Sequence, residues 1–307
     1  MLWNEIQKDR RIHQPVMVDE VLRLLKPDAG DRAIDLTIGT GGHALAIGRQ
    51  LSREGMIVGL DVDPTAIHLA KDRLQDTLPC DTRFYNRRFS EAPYILDEMA
   101  IDGFDLALAD LGAGSHQLDD LDRGFSFDSK SSLDMRYDTS GGPTAHDVVN
   151  RMPERELAEL FRNLGEERYS RIIAQEICKR RKTQPIASTA ELAEIAKSIY
   201  AKRGPDKTWR IHPATRVAMA LRIYVNEELN ELDRLLAAIP DLLAPGGRVA
   251  ILTWHSLEAR RVKNAWSSQD LIEPITDKPV KPSDEEVEAN PRARSAQLRA
   301  ARITEKD

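Results

Sequence analysis

The chain has 307 residues, 41% hydrophobic and 31% charged, with a formal net charge of −6; this is the make-up of an ordinary folded protein with one large core, or one core carrying an inserted domain. No apolar run is long enough to span a bilayer, and the start, Met1-Leu2-Trp3-Asn4-Glu5, lacks the basic and apolar regions of a secretory signal, so a cytoplasmic protein without membrane attachment is expected. The two cysteines, Cys80 and Cys178, stand far apart with no partners at metal-ligand spacing, which supports neither a disulfide scaffold nor a zinc site.

The first predicted helix covers Val16 to Leu25, with Val18, Val21, Leu22 and Leu25 on one face. A strand follows Asp31 and runs through Ile34-Asp35-Leu36 into the glycine-rich Thr37-Ile38-Gly39-Thr40-Gly41-Gly42, and a helix begins at His43. Strand two is Met56 to Leu60, ending on Asp61; Asp63 then reads as an N-cap with Pro64 at the first helical position of a helix through Leu74. Strand three lies near Thr82 to Tyr85, and Phe104 to Ala109 is strand four, ending on Asp110. This run of β-α units predicts a parallel sheet with helices on both faces.

From Ser115 to about Ala214 the strands disappear. Helices are predicted from Pro153 to Leu164, closed by Gly165, then from Glu167 to Arg181 and from Thr189 to Ala201. One long helix with Leu221, Val225, Leu229, Leu232 and Leu236 inward leads to Pro245-Gly246-Gly247 and strand five, Arg248 to Thr253. The tail after Ser267 is polar and reads as a loop before a last short strand near Leu298 to Ile303. The expected organisation is therefore an α/β core in two parts, 13–114 and 215–307, interrupted by an all-helical insert at 115–214.

Charge is distributed unevenly. Between Arg168 and Arg222 there are thirteen Lys or Arg against four Asp or Glu, including Lys179-Arg180-Arg181-Lys182, Lys202-Arg203, Lys207, Arg210 and Arg216. Such a run is either a solvated face or a surface for phosphates, and its length beside a nucleotide-binding pattern favours the second.

That pattern is the stretch Ile34 to His43 followed by Gly59-Leu60-Asp61. Without a Cβ, Gly39, Gly41 and Gly42 allow positive φ and let a ligand lie against the main chain, facing the amides of the next helix. Asp61, at the carboxyl end of strand two, is placed to accept hydrogen bonds from ribose hydroxyls. These features fit an adenosine. A dinucleotide fingerprint wants a third glycine where Ala44 stands, so spacing alone ranks S-adenosylmethionine first, a dinucleotide second and a structural glycine turn third.

Ligands in open α/β sheets lie at the carboxyl ends of strands, which singles out Asp35, Asp61, Phe89, Asp110 with Leu111 and Gly112, and Thr253-Trp254-His255-Ser256. Asp110 stands where a transferase presents its acceptor to the cofactor, the alternative being a turn-capping carboxylate. His255 and Ser256 do not suggest a hydrolase, because no glycine-rich nucleophile elbow surrounds the serine. Trp254 either stacks on a base or packs against the sheet. Phe125 and Phe127 read as core, and Asp119, Asp120 and Asp122 as a solvated turn rather than a divalent-ion site; no metal is expected.

A set of ordered motifs goes further: His13-Gln14-Pro15-Val16-Met17, Gly39 to His43, Asp110-Leu111-Gly112, Gln117-Leu118-Asp119, Arg123-Gly124-Phe125-Ser126-Phe127, Leu133-Asp134-Met135-Arg136, Gly165-Glu166-Glu167-Arg168, His212-Pro213-Ala214-Thr215-Arg216, Val225-Asn226-Glu227-Glu228-Leu229, His255-Ser256-Leu257-Glu258 and Asn290-Pro291-Arg292-Ala293-Arg294. In these the chain resembles the RsmH (MraW) family, bacterial methyltransferases of the N4 amine of a cytidine in small-subunit (16S) ribosomal RNA. The resemblance implies a class I, Rossmann-like S-adenosylmethionine-dependent fold with an inserted helical domain that binds RNA. It also implies cofactor contacts at Gly41, Gly42, His43, Asp61, Phe89, Asp110 and Gln117, and a target in the decoding centre. Asp110 is the expected catalytic residue, and Trp254, His255, Ser256 and Arg216 the expected substrate contacts. The partner is then small-subunit RNA or the assembled subunit. Three positions depart from the family pattern: Gly114, Ala259 and Val217-Ala218-Met219. They leave open a methyltransferase for a different base, or a non-enzymatic ribosome-binding or assembly protein.

Overall fold

Alternate residues of each predicted strand point to opposite faces, and both faces are buried. Ala33, Ile57, Leu106 and Ala250 belong to one apolar cluster and Ile34, Val58, Ala107 and Val249 to another, as a parallel sheet covered on both sides requires. The computed structural model describes residues 15–127, 132–203 and 212–304; His13 and Gln14 of the first motif, and Lys207 and Arg210 of the basic segment, lie outside them. Residues up to His116 and from Leu229 onward form one unit, and Gln117–Glu228 a second.

In the first unit the elements follow as α1 (Val18–Leu25), β1 (Arg32–Asp35), α2 (Gly42–Gly48), β2 (Met56–Asp61), α3 (Pro64–Leu74), β3 (Asp81–Asn86), α4 (Ala92–Met99) and β4 (Phe104–Asp110). The sheet has the order β3-β2-β1-β4-β5-β7-β6, with β5 (Leu243–Thr253), β6 (Ile272–Pro274) and β7 (Gln297–Ile303) supplied by the end of the chain. Strands β1 to β5 run parallel, whereas β7 is antiparallel to β5 and to β6. Helices α1, α2 and α3 cover the first face. The second is covered by α4 and by two later helices, residues 228–242 and 256–268. Asp63 caps α3 as its sequence foretells, accepting the Thr65 N–H at 2.9 Å. Because β1 lies between β2 and β4, the order reverses there, and the switch point falls at the carboxyl ends of β1 and β4.

The polar tail after Ser267 is more ordered than its composition suggests. It contains β6, a helix at Asp284–Ala289 and a 3-10 turn at Pro291–Ser295. An edge strand of three residues with only Ile272 buried leaves no periodic signature, and the Glu286 carboxylate, which accepts the Met17 N–H at 2.7 Å, is a non-local contact.

The second unit is helical: α5 (Ser115–Asp119) leads into it, followed by α6 (Ala145–Arg151), α7 (Glu154–Gly165), α8 (Ser170–Arg180), α9 (Thr189–Arg203) and α10 (Thr215–Val225). Leu157, Phe161, Ile173, Ile177, Ile195, Val217 and Leu221 form its core. Phe125 packs against that core and stacks on Tyr137, with ring centroids 5.8 Å apart; Phe127 stacks on His212 at 4.8 Å. Asp119, Asp120 and Asp122 are exposed, and Asp120 accepts the Asp122 N–H, a turn cap.

Three expectations need correction here. The single long helix is in fact two, α10 and α11 (Glu228–Leu242), separated by Asn226 and by Glu227 at φ 53°. Asn226 holds the break: its amide donates to Met135 O (2.7 Å) and Arg222 O (2.9 Å), and its Oδ1 accepts the Tyr137 N–H (2.7 Å). Leu221 serves the helical core while Leu232 and Leu236 serve the sheet, so the leucine spacing continues across the break although the cores differ. The helical unit consequently runs to Glu228 rather than ending at 214, since α10 packs within it. Gly165, for its part, is the last residue of α7, and the left-handed residue after the helix is Glu166 at φ 48°. The glycine is there for close packing: a Cβ on it would stand 2.5 Å from Arg216 O.

Candidate active site

The carboxyl ends of β1, β2 and β4 present three aspartates. Asp61 closes β2, and its two oxygens each accept one main-chain N–H, Oδ2 from Gly39 (2.9 Å) and Oδ1 from Asp63 (2.9 Å). Burial raises its pKa, and those two bonds work in the other direction. Each oxygen keeps an acceptor position, which is what two ribose hydroxyls need. A Cβ on Gly39 (φ 51°) would meet nothing nearer than Thr37 O at 3.9 Å, so the peptide there is open to a ligand. Gly41 and Gly42 differ: Cβ atoms on them would lie 3.0 Å from Leu74 Cδ1 and 3.1 Å from Pro15. These two glycines let α3 and residue 15 pack closely against the turn. This half of the site fits an adenosine moiety.

Asp110 closes β4. Its main-chain N–H donates to Thr37 Oγ1 (2.7 Å), and its Oδ1 accepts the Trp254 indole N–H (3.1 Å). Burial raises the carboxyl's pKa; the charge of a protonated His43 and the Trp254 bond oppose that rise. His43 is buried in α2. Its Nε2 is 2.9 Å from Val16 O, a group that only accepts, so Nε2 carries a hydrogen and Nδ1 faces Asp110 Oδ2 at 3.7 Å. The His43 ring is thus directed at Asp110 and at the main chain. Asp35, at the end of β1, is 3% exposed, and desolvation pushes its pKa up to about 7 against the opposing effects of His43 and the Thr37 N–H.

Trp254 follows β5 and packs, half-buried, against both apolar clusters, with its N–H turned to Asp110. Glu258, 2% exposed in α12 (Ser256–Ser268), accepts the Trp254 main-chain N–H at 2.7 Å and lies 3.2 Å from His255 Nε2. Ser256 is exposed at the first position of α12. Phe89 opens a 3-10 turn at Phe89–Glu91 and packs, half-buried, against the second-face cluster. Gln117, buried in α5, and Arg216, exposed in α10, belong to the helical unit.

Thr37 and Glu258 were not foreseen as orienting groups. Thr37 acts across a strand pair, which leaves no local signal. Glu258 is the third residue of its helix, a position from which glutamate reaches back to a preceding main-chain N–H, so its spacing was a usable sign.

Residues 10–304 match the MraW methylase family. Over 303 residues the chain is 42% identical to the ribosomal RNA small subunit methyltransferase H of Acidobacterium capsulatum, covering 95% of this chain and 99% of the relative. It is 44% identical to the protein of the same name from Syntrophotalea carbinolica, covering 94% and 97%, and 43% identical to that from Geobacter sulfurreducens, covering 94% and 98%.

Proposed function

The chain belongs to the MraW methylase family, and from that premise we propose that it transfers a methyl group from S-adenosylmethionine to the N4 amine of a cytidine in small-subunit ribosomal RNA, in the decoding centre. The observation that carries this reading is Asp110: a part-buried carboxylate at the sheet's switch point, oriented by Trp254 and faced by His43, beside a glycine turn and an Asp61 suited to adenosine. Gly39 to His43, Asp61, Phe89 and Gln117 are the residues we assign to the cofactor.

When bound, S-adenosylmethionine supplies an electrophilic methyl carbon. The lone pair of an exocyclic cytidine amine is delocalised into the ring, which makes it a poor nucleophile. Asp110, accepting one N4–H, favours the pyramidal nitrogen that can attack. Once that carbon had been transferred, the amine's surplus proton would pass to Asp110, whose raised pKa makes it the better base. Trp254 and His43 fix the carboxylate that would hold the amine in place, and positioning of this kind contributes several kcal/mol. The target base leaves its stack at a cost of a few kcal/mol, which phosphate contacts of the basic segment offset.

The test is mass spectrometry of small-subunit RNA from a deletion strain complemented with wild-type protein or with Asp110→Ala. N4-methylcytidine should return only with the wild type. Full modification by a folded Asp110→Ala protein removes Asp110 from the mechanism, and persistence of the mark in the deletion strain assigns the enzyme to a different substrate.

A further inference from the structure

Two motifs, Gly165-Glu166-Glu167-Arg168 and His212 to Arg216, meet in the helical unit. Glu167 is 2% exposed, and its carboxylate accepts the Tyr169 main-chain N–H (2.8 Å) and the Tyr200 hydroxyl (3.0 and 2.9 Å to its two oxygens). That anchor sets the two phenol rings edge to face, centroids 4.9 Å apart at 85°. Over them lies Arg168, its guanidinium carbon 4.5 Å from the Tyr169 centroid and 5.3 Å from that of Tyr200. From α10, Arg216 donates to Glu166 O at 2.7 Å, a contact that the missing Cβ of Gly165 permits. Both arginines act on the Tyr200 hydroxyl, which burial and Glu167 push up to about 12 and the two positive charges draw back.

Both guanidiniums are exposed, and among the described residues neither forms an ion pair. Other arginines of the unit do: Arg136 with Asp134, Arg155 with Glu159, Arg180 with Glu176, Arg222 with Glu228. Two cations held in place by rings and a carbonyl, with N–H edges left for a partner, suit an oxyanion that accepts in a fork. The stretch of sequence from Arg168 to Arg222, with thirteen basic residues against four acidic, favours a polyanion.

We propose that Arg168 and Arg216, held on the Glu167-anchored Tyr169–Tyr200 pair, grip a backbone phosphate of the RNA substrate. The identification of that polyanion rests on the methyltransferase reading. It is tested by measuring binding of a small-subunit RNA fragment over a salt series, together with methyl transfer and calorimetric S-adenosylmethionine binding, for the wild type, Arg168→Ala, Arg216→Ala, the double variant and Arg168→Lys. Each alanine should weaken RNA binding about tenfold and lower the salt slope by about one, with cofactor affinity unchanged. Arg168→Lys should keep the slope and lose part of the affinity, because the charge survives and the planar stack does not. Arg155→Ala, which removes an exposed helix pair, should match the wild type. A double variant that binds RNA with wild-type affinity and slope overturns the proposal while wild-type methyl transfer leaves the enzymatic reading standing. Loss of binding in the variants, with a wild type that transfers no methyl group, upholds the phosphate site and overturns that reading instead. A wild type that binds no RNA overturns both.

Discussion

Asp35 and Asp110 end neighbouring strands, and each carries a cost of burial that a surface carboxylate escapes. For Asp35 the folded pKa of about 7 stands above the ordinary 3.8, so the folded state holds the proton more tightly. Stability from this group is complete below pH 4 and is lost as pH rises through 7. Asparagine at this position has no charge to bury, and Asp35→Asn should gain on the wild type by up to roughly 4 kcal/mol between pH 4 and pH 8, at about 1.4 kcal/mol per pH unit. Denaturant unfolding at the two pH values measures this; a gap that does not change with pH contradicts the assignment. At the same scale His43 marks where residue-by-residue reading stopped short. The glycine motif includes His43 in its sequence, whereas the partners of its ring, Val16 O and Asp110, follow from groups distant in sequence.

Helix periodicity located α7, α8 and α9 within a few residues, because an apolar face is a local property of the chain. It merged α10 with α11, since a repeat of leucines does not say which core each one enters; Asn226, with partners in residues 135 and 137, makes that decision. Gly165 was legible as a helix-end residue, although its function is contact with the next helix but two. Gly165→Ala places a Cβ 2.5 Å from the main-chain Arg216 O, which cannot yield as a side chain can. The variant should lose about 1–3 kcal/mol to overpacking, less the roughly 1 kcal/mol that alanine gains over glycine in a helix. A denaturation midpoint at or above that of the wild type would mean that α7 and α10 are less tightly packed than this.

Over the whole molecule the sign of the charge misleads. The chain is acidic at −6, and residues 117–228 are nearly neutral, with nineteen basic residues against eighteen acidic. The excess lies in one stretch, so the phosphate surface proposed above shows only when charge is read along the chain. No helix among the described residues is long and apolar enough to cross a membrane. The rival reading, a ribosome-binding protein that has lost its chemistry, is separated by thermal unfolding with S-adenosylmethionine. At a hundred times its Kd the ligand should stabilise the wild type by about 2.7 kcal/mol and give little to Asp61→Ala, which lacks the proposed ribose acceptor. No shift in the wild type would favour the rival.

From the amino-acid order alone came the strands β1 to β5, the capped start of α3, the glycine turn and the aspartates that end β2 and β4. All of these depend on neighbours within a few residues, through side-chain alternation, backbone freedom and capping. The tertiary structure alone decided that Trp254, His43 and Thr37 converge on Asp110, that α10 and α11 belong to different cores, and that Arg216 meets the Glu166 carbonyl. Each of these needs segments tens to more than a hundred residues apart to pack together, and packing is set by the volume and polarity of both partners, which no single stretch of chain contains.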